Sequence, residues 1–173
     1  MINNSKNINS NEDKLYNKVL DLSRNKLFYT KLDLKDTFEN RINLIFLHIS
    51  FLFIKIKEGN EKSLYKKFYQ NMFDVIFNKI ELNMRELGYG DMAVNKSMKF
   101  LVKIFYSILL DCEIYKNKNE NDKNLFLLKH LTLNSNKKVI NNYDLVNYFD
   151  KYQDFCLDLD PDKVLKGNLN FNY

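Results

Sequence analysis

Tryptophan is absent from this 173-residue chain, proline occurs once, glycine four times, and cysteine and histidine twice each. Each shortage removes a class of reading. With one proline, four glycines, 45% hydrophobic and 28% charged residues, the composition is that of an ordered, mostly helical globule. Cys112 and Cys156 stand far apart in apolar surroundings without metal-type spacing, so each reads as a buried small hydrophobe rather than a ligand or nucleophile. Of the two histidines, His48 lies inside the most apolar stretch, and His130 has no carboxylate or cysteine at ligand spacing. There is no glycine-rich phosphate loop, no His/Cys metal cluster and no nucleophile elbow. Asp158 and Asp160 beside Pro161 form a short acidic turn without the glycine and further oxygens of a calcium loop. No catalytic residue, metal or cofactor is therefore expected.

The opening "MINNSKNINSNEDK" lacks the apolar core of a secretory signal and is neither Arg-rich nor amphipathic like a mitochondrial presequence. The expectation is a chain that begins where its gene begins, in a reducing compartment. Long hydrophobic runs are also scarce. Ile42 to Ile54 is nearly all apolar, but a spanning helix needs about 20 such residues. This run is shorter, contains Asn43, His48 and Ser50, and is bounded by Arg41 and Lys55. A helix apolar all round is the buried centre of a bundle.

What is abundant is helical periodicity. Residues 1–12 read as a disordered polar tail and 13–173 as one helical domain. Leu15, Val19 and Leu22 recur at helix spacing. The apolar run is opened by Asp33 or Asp36 as N-cap and stopped by Gly59. Leu64, Phe68, Met72, Val75 and Ile76, widened by Phe73, Phe77, Ile80, Met84 and Leu87, give a third helix that Gly88 ends. Met98, Leu101, Val102, Phe105, Leu109 and Cys112 line the core side of a fourth. "LFLLKHLTL" reads as a short helix, with a strand left open by its pattern. "NNYDLVNYFDKYQDFCLDL" is another helix, opened by Asn141 or Asn142, and "PDKVLKG" a helical turn. The fold class expected is all-α, a single-domain helical bundle.

One segment asks for more. "LGYGDMAVNKSMK", Leu87 to Lys99, places Gly88 and Gly90 between two amphipathic helices. Gly88 can take positive φ at a helix end, Gly90 keeps the turn tight, and Asp91 can cap the next helix. A joint between helices accounts for that much. Around it lie Arg85 and Glu86, and then Lys96, Lys99 and Lys103 on the side opposite the apolar stripe. With 27 Lys+Arg against 22 Asp+Glu, net charge +5 and a pI near 9.0, contact with nucleic acid, a ribosome or an anionic membrane is permitted without being demanded.

The order Tyr16, Arg24, Phe28–Tyr29, Asp36–Thr37, Arg41, His48, followed by "MRELGYGDMAVNKSMK", Phe105–Tyr106 and the closing "VLKGNLNF", closely resembles the ubiquinol–cytochrome c chaperone family. The resemblance extends from about Leu15 to Phe171. These are assembly factors of respiratory complex III. The resemblance implies an all-α fold, no catalytic centre, and binding of newly made cytochrome b or other complex III subunits. In mitochondria the family acts with a small partner protein and near the ribosome exit. The chain departs from the family's pattern in its surface, where Lys, Asn or Ile replace Ala, Arg or Gly, including between Asn95 and Phe105.

The partner-binding residues expected are Arg85, Asp91, Lys96 and Lys99, with Arg41 and His48 as a second set. Arg41 is expected to pair with Asp36 or Glu86, and the plainer reading of His48 is a satisfied buried hydrogen bond. Gly88 and Gly90 form the structural turn. The expected location is the cytoplasmic side of a bacterial inner membrane, with peripheral contact, or the matrix side in a mitochondrion. A ribosome- or nucleic-acid-binding basic helical module is the competing reading. Against it, the helix after the corner has no cluster of base-reading side chains beyond Asn95, and no specific nucleic acid is expected.

Overall fold

Ser10 starts the first helix through a reciprocal cap. Its Oγ accepts from the Asp13 amide at 3.0 Å and donates to the Asp13 carboxylate at 3.0 Å, satisfying an otherwise orphan amide of the first turn. The computed structural model describes residues 10–59, 62–134 and 143–173. Helix α1 (Asn11–Ser23) buries Leu15, Tyr16 and Val19. It therefore takes in Asn11 and Glu12, which the sequence reading assigned to the polar tail; residues 1–9 lie outside the described residues. A short α2 (Leu27–Thr30) follows and buries Phe28.

Helix α3 (Phe38–Lys57) is the axis of the bundle. Its N-cap is Thr37, whose Oγ1 accepts from the Asn40 amide at 3.2 Å, not Asp33 or Asp36. Asp33 adopts left-handed backbone at φ 59° in the preceding turn, and the Asp36 carboxylate is turned to Arg41. The C-cap is Glu58, and Gly59 follows it as the expected stop. From Ile42 to Phe53 every residue is buried, as an all-round apolar helix requires. Among the described residues no helix is long and apolar enough to cross a membrane.

The remaining helices are α4 (Lys62–Glu86), α5 (Asp91–Glu113), α6 (Glu120–His130), α7 (Tyr143–Asp158) and α8 (Pro161–Leu165), with a 3-10 turn at Tyr115–Asn117. Helix α3 packs against α1, α4, α5, α7 and α8. The α4 stripe buries Phe68, Met72, Ile76, Phe77, Ile80 and Met84, but Leu64 and Leu87 at its two ends are exposed. On α5, Val94 and Ile108 join Leu101, Phe105 and Cys112 in the core. Asn141 and Asn142, the caps expected for α7, lie outside the described residues. Helix α8 has Asp160 as N-cap and Pro161 in its first turn, where a missing N–H removes nothing. After it Gly167 sits at φ 75°, and a Cβ there would meet the Asn11 carbonyl at 2.6 Å. Only glycine lets the C-terminal segment lie this close to α1.

The segment "LFLLKHLTL" contains both of its possible readings. It is helical to His130, then extended, and Leu133 forms an isolated antiparallel bridge with Leu34. No β-strand occurs among the described residues. Buried Asn40 fastens this bridge: Nδ2 donates to the Lys35 and Thr132 carbonyls, both at 2.8 Å, and Oδ1 accepts from the Thr132 amide at 2.9 Å. A single side chain on α3 thus joins segments 92 residues apart. The architecture is the expected all-α helical bundle.

Candidate functional site

At the α4–α5 corner the helix end is capped by backbone hydrogen bonds. The Tyr89 amide donates to the Met84 carbonyl at 3.1 Å and the Gly88 amide to Arg85 at 2.9 Å. That pair of bonds, around a residue in left-handed conformation, is a Schellman cap. Gly88 supplies the conformation at φ 86°. Gly90 does not share this role: it is the N-cap of α5 with ordinary extended backbone (φ −71°, ψ 158°), and a side chain there would meet nothing within 4 Å. Asp91 is the first residue of α5 rather than its cap, and its carboxylate accepts from Arg85 Nη1. Its charge still opposes the positive end of the helix.

Arg85 is a bridge across the corner. Besides Asp91 it donates from Nε and Nη2 to Glu81 Oε1 at 3.0 and 2.9 Å. The Asp91 bond, and then the Glu81 bonds, raise its pKa further above its ordinary value. Lys96, Lys99 and Lys103 are exposed on α5, on the side opposite its buried stripe. Arg41 pairs with Asp36 rather than Glu86, in a two-pronged contact at 2.7 and 2.9 Å, and the Asp36 carboxyl is held below its usual range by that guanidinium.

His48 is far from this surface. It is fully buried. Its Nδ1–H donates to the Leu44 carbonyl at 2.6 Å, which leaves Nε2 to accept from the Tyr148 hydroxyl at 2.8 Å. Tyr152 donates to the His48 carbonyl at 3.2 Å, and Phe28, Phe149 and Tyr152 surround the ring. Burial drives its pKa down from 6.5 to about 4. A partner cannot touch this group in the folded protein, which corrects its place in the second partner-binding set. The plainer expectation, a satisfied core histidine, is what the structure holds. Cys112 and Cys156 are likewise buried and free, with thiol pKa values pushed up by desolvation. Among the described residues no group of three or more His, Cys, Asp or Glu side chains could hold a metal ion.

Two apolar clefts flank the corner. The first, about 260 Å³, lies between α1, α3 and α4, with Tyr16, Leu20, Ile45 and Ile80 in its walls and Arg24, Arg41 and Glu86 among its lining. The second, about 220 Å³, lies between α3, α4 and α5 and takes in Met84, Phe100, Leu101 and Ile104. Phe38 and Ile42 line both. The corner itself sends Leu87 into the first cleft and Tyr89 into the second. Gly88 stands between them, and its left-handed turn splays the two side chains. Leu87 is 63% exposed, so the reading of it as the last residue of the α4 core stripe is corrected. The available signal was its position: Leu87 directly precedes the helix-ending glycine and lies outside α4. Such an arrangement can receive apolar side chains from another molecule against a charged rim.

A model described as ubiquinol–cytochrome C chaperone matches residues 30–166, most of the chain, and that match takes in the corner, Arg41, His48 and α5. The chain belongs to the ubiquinol–cytochrome c chaperone family. Assembly of complex III is the general role of this chaperone family. Among solved structures, the Cbp3 homolog from Brucella abortus is similar at a TM-score of 0.77 and 21% identity, over 94% of this chain and 89% of that one. That likeness is one of fold. No curated protein matches the chain. Of the residues that carried the resemblance, Arg24 and Arg41 line the first cleft, Tyr16 lines it from the core side, and Phe28 and His48 pack in the core.

Proposed function

We propose that this chain is a non-catalytic assembly chaperone that holds newly made cytochrome b until it is incorporated into complex III. The observation that carries the reading is the pair of clefts joined over Phe38 and Ile42, with exposed Leu87 and Tyr89 set between them. Cytochrome b has apolar helices that must be covered before haem and neighbouring subunits arrive. Two shallow clefts hold single side chains, not a whole helix, which suits a transient grip. Arg24 and Arg41 in the lining of the first cleft then face the polar ends of such segments. The proposed place of action is the face of the inner membrane where cytochrome b is made, the cytoplasmic face in a bacterium.

The test is crosslinking of the tagged full chain in its own kind of cell, with identification of the captured proteins. Cytochrome b is expected ahead of mature complex III subunits. Leu87→Asp is expected to weaken that capture about tenfold or more, from the loss of one buried leucine contact, with unchanged circular dichroism because the residue is exposed. Recovery of ribosomes or RNA without cytochrome b would overturn the reading in favour of a basic ribosome-binding module.

A further inference from the structure

The outward face of α5 has a pattern that the corner does not use. Met92, Lys96, Lys99, Lys103, Tyr106 and Leu110 follow one another at alternating steps of four and three residues. On a helix this spacing makes a straight row along the axis, about 27 Å long at the usual rise per residue. All six side chains are exposed, Met92 at 88% and Leu110 at 63%, and Phe100 is exposed beside them. The buried side of the helix, Val94, Leu101, Phe105, Ile108 and Cys112, points the other way.

The charges near the row are unequally matched. Asp91 is paired with Arg85, Asp111 with Lys129 and Glu113 with Lys57. Among the described residues Lys96, Lys99 and Lys103 have no ion pair or hydrogen bond. The carboxylates of α5 are therefore already neutralised, and the row carries three unopposed positive charges with apolar side chains at both ends.

We propose that this face of α5 seats the protein on an anionic bilayer surface. The row runs along the outward side of one helix, so its side chains can meet a plane together. Lysine is a flexible point charge, suited to a diffuse layer of phosphates rather than to one fixed carboxylate pair. Its apolar stem lies along the interface while the ammonium meets the headgroups. Met92, Tyr106 and Leu110 reach the headgroup–acyl boundary, as on interfacial helices. This contact is peripheral, and it stands independently of what the two clefts hold.

The experiment is flotation of the full chain with vesicles of phosphatidylcholine, with and without phosphatidylglycerol. Binding is expected only to the anionic vesicles and is expected to fall as salt rises. The triple variant Lys96→Gln, Lys99→Gln, Lys103→Gln should bind them on the order of a hundredfold more weakly. Met92→Ser with Leu110→Ser should weaken binding at fixed salt while keeping the salt dependence. These are exposed side chains, so native circular dichroism is expected in each. Absence of wild-type binding to anionic vesicles at low salt, or equal binding by the triple variant, would overturn the proposal. So would lysine-dependent binding to an acidic protein without lipid binding. Capture of cytochrome b by the triple variant in detergent reads the clefts separately.

Discussion

Acidification should destabilise this protein chiefly through His48, its fully buried histidine. In the fold its Nδ1–H donates to the Leu44 carbonyl and its Nε2 accepts from the Tyr148 hydroxyl, so an added proton must turn that hydroxyl from donor to acceptor and place a charge in a fully buried, apolar setting. Its pKa falls to about 4, against 6.5 for an ordinary histidine. The unfolded chain thus takes up the proton first. Stability from the neutral ring is present above pH 6.5 and is lost as the pH drops from there toward 4. Each unit of pKa difference is about 1.4 kcal/mol. Between pH 7 and pH 5 the loss is therefore about 2 kcal/mol, and it levels off below pH 4 at about 3 kcal/mol.

Urea unfolding at the two pH values measures it, as a lower midpoint with an unchanged slope. His130 is shifted the same way by its burial, and Asp36 is shifted downward by Arg41. Asp36 acts only in the more acidic carboxylate range. The informative quantity is the difference between wild type and His48→Gln, which leaves both of those groups in place. The variant should lose most of the pH 7 to pH 5 change. Parallel stability curves for the two proteins would refute the reasoning.

Two further outcomes test the corner and the bridge. Asn40→Ala removes three hydrogen bonds and leaves the Thr132 amide unmet, while the Lys35 and Thr132 carbonyls keep the Thr37 and Lys35 amides; a loss of about 3 kcal/mol in urea unfolding is expected, and a change within error would mean that the bridge is incidental. At the corner the two glycines should behave oppositely. Gly88→Ala forces a Cβ into left-handed backbone at φ 86° and should lower stability by about 1 kcal/mol, while Gly90→Ser adds a capping hydroxyl at an ordinary N-cap and should raise it by a few tenths of a kcal/mol. Thermal unfolding of both variants distinguishes this from a turn that needs both glycines.

Local rules were legible in the chain itself. Periodicity marks α1, α3, α4 and α5, because a helix must place its apolar residues on the side that meets the others. The stop at Gly88 follows from the left-handed backbone that glycine adopts without penalty. The all-round apolar run from Ile42 to Ile54 foretold the central helix, whereas His48 within it was open to two readings, a partner-binding residue or a satisfied core ring, and only the packing chose the second. Shortage was informative as well: two histidines and two cysteines without spacing left no basis for a catalytic reading.

Distance along the chain hid the rest. Thr37 displaced Asp33 and Asp36 as the cap of α3 because Asp36 is claimed by Arg41, a choice made by side-chain geometry. Asn40 reaches Thr132, and Leu34 reaches Leu133, only when α6 is folded back. Leu87 and Tyr89 are one residue apart from Gly88, yet which cleft each enters depends on where α1, α3 and α5 stand. The unopposed charge of Lys96, Lys99 and Lys103 appears only once the acids beside them are seen paired with Arg85, Lys129 and Lys57. Sequence by itself determined the helices and their buried faces, since hydrophobicity and backbone preference act over a few residues. Tertiary structure alone decided which polar groups are spent inside the molecule and which are left for a partner, since that depends on contacts between residues far apart in the chain.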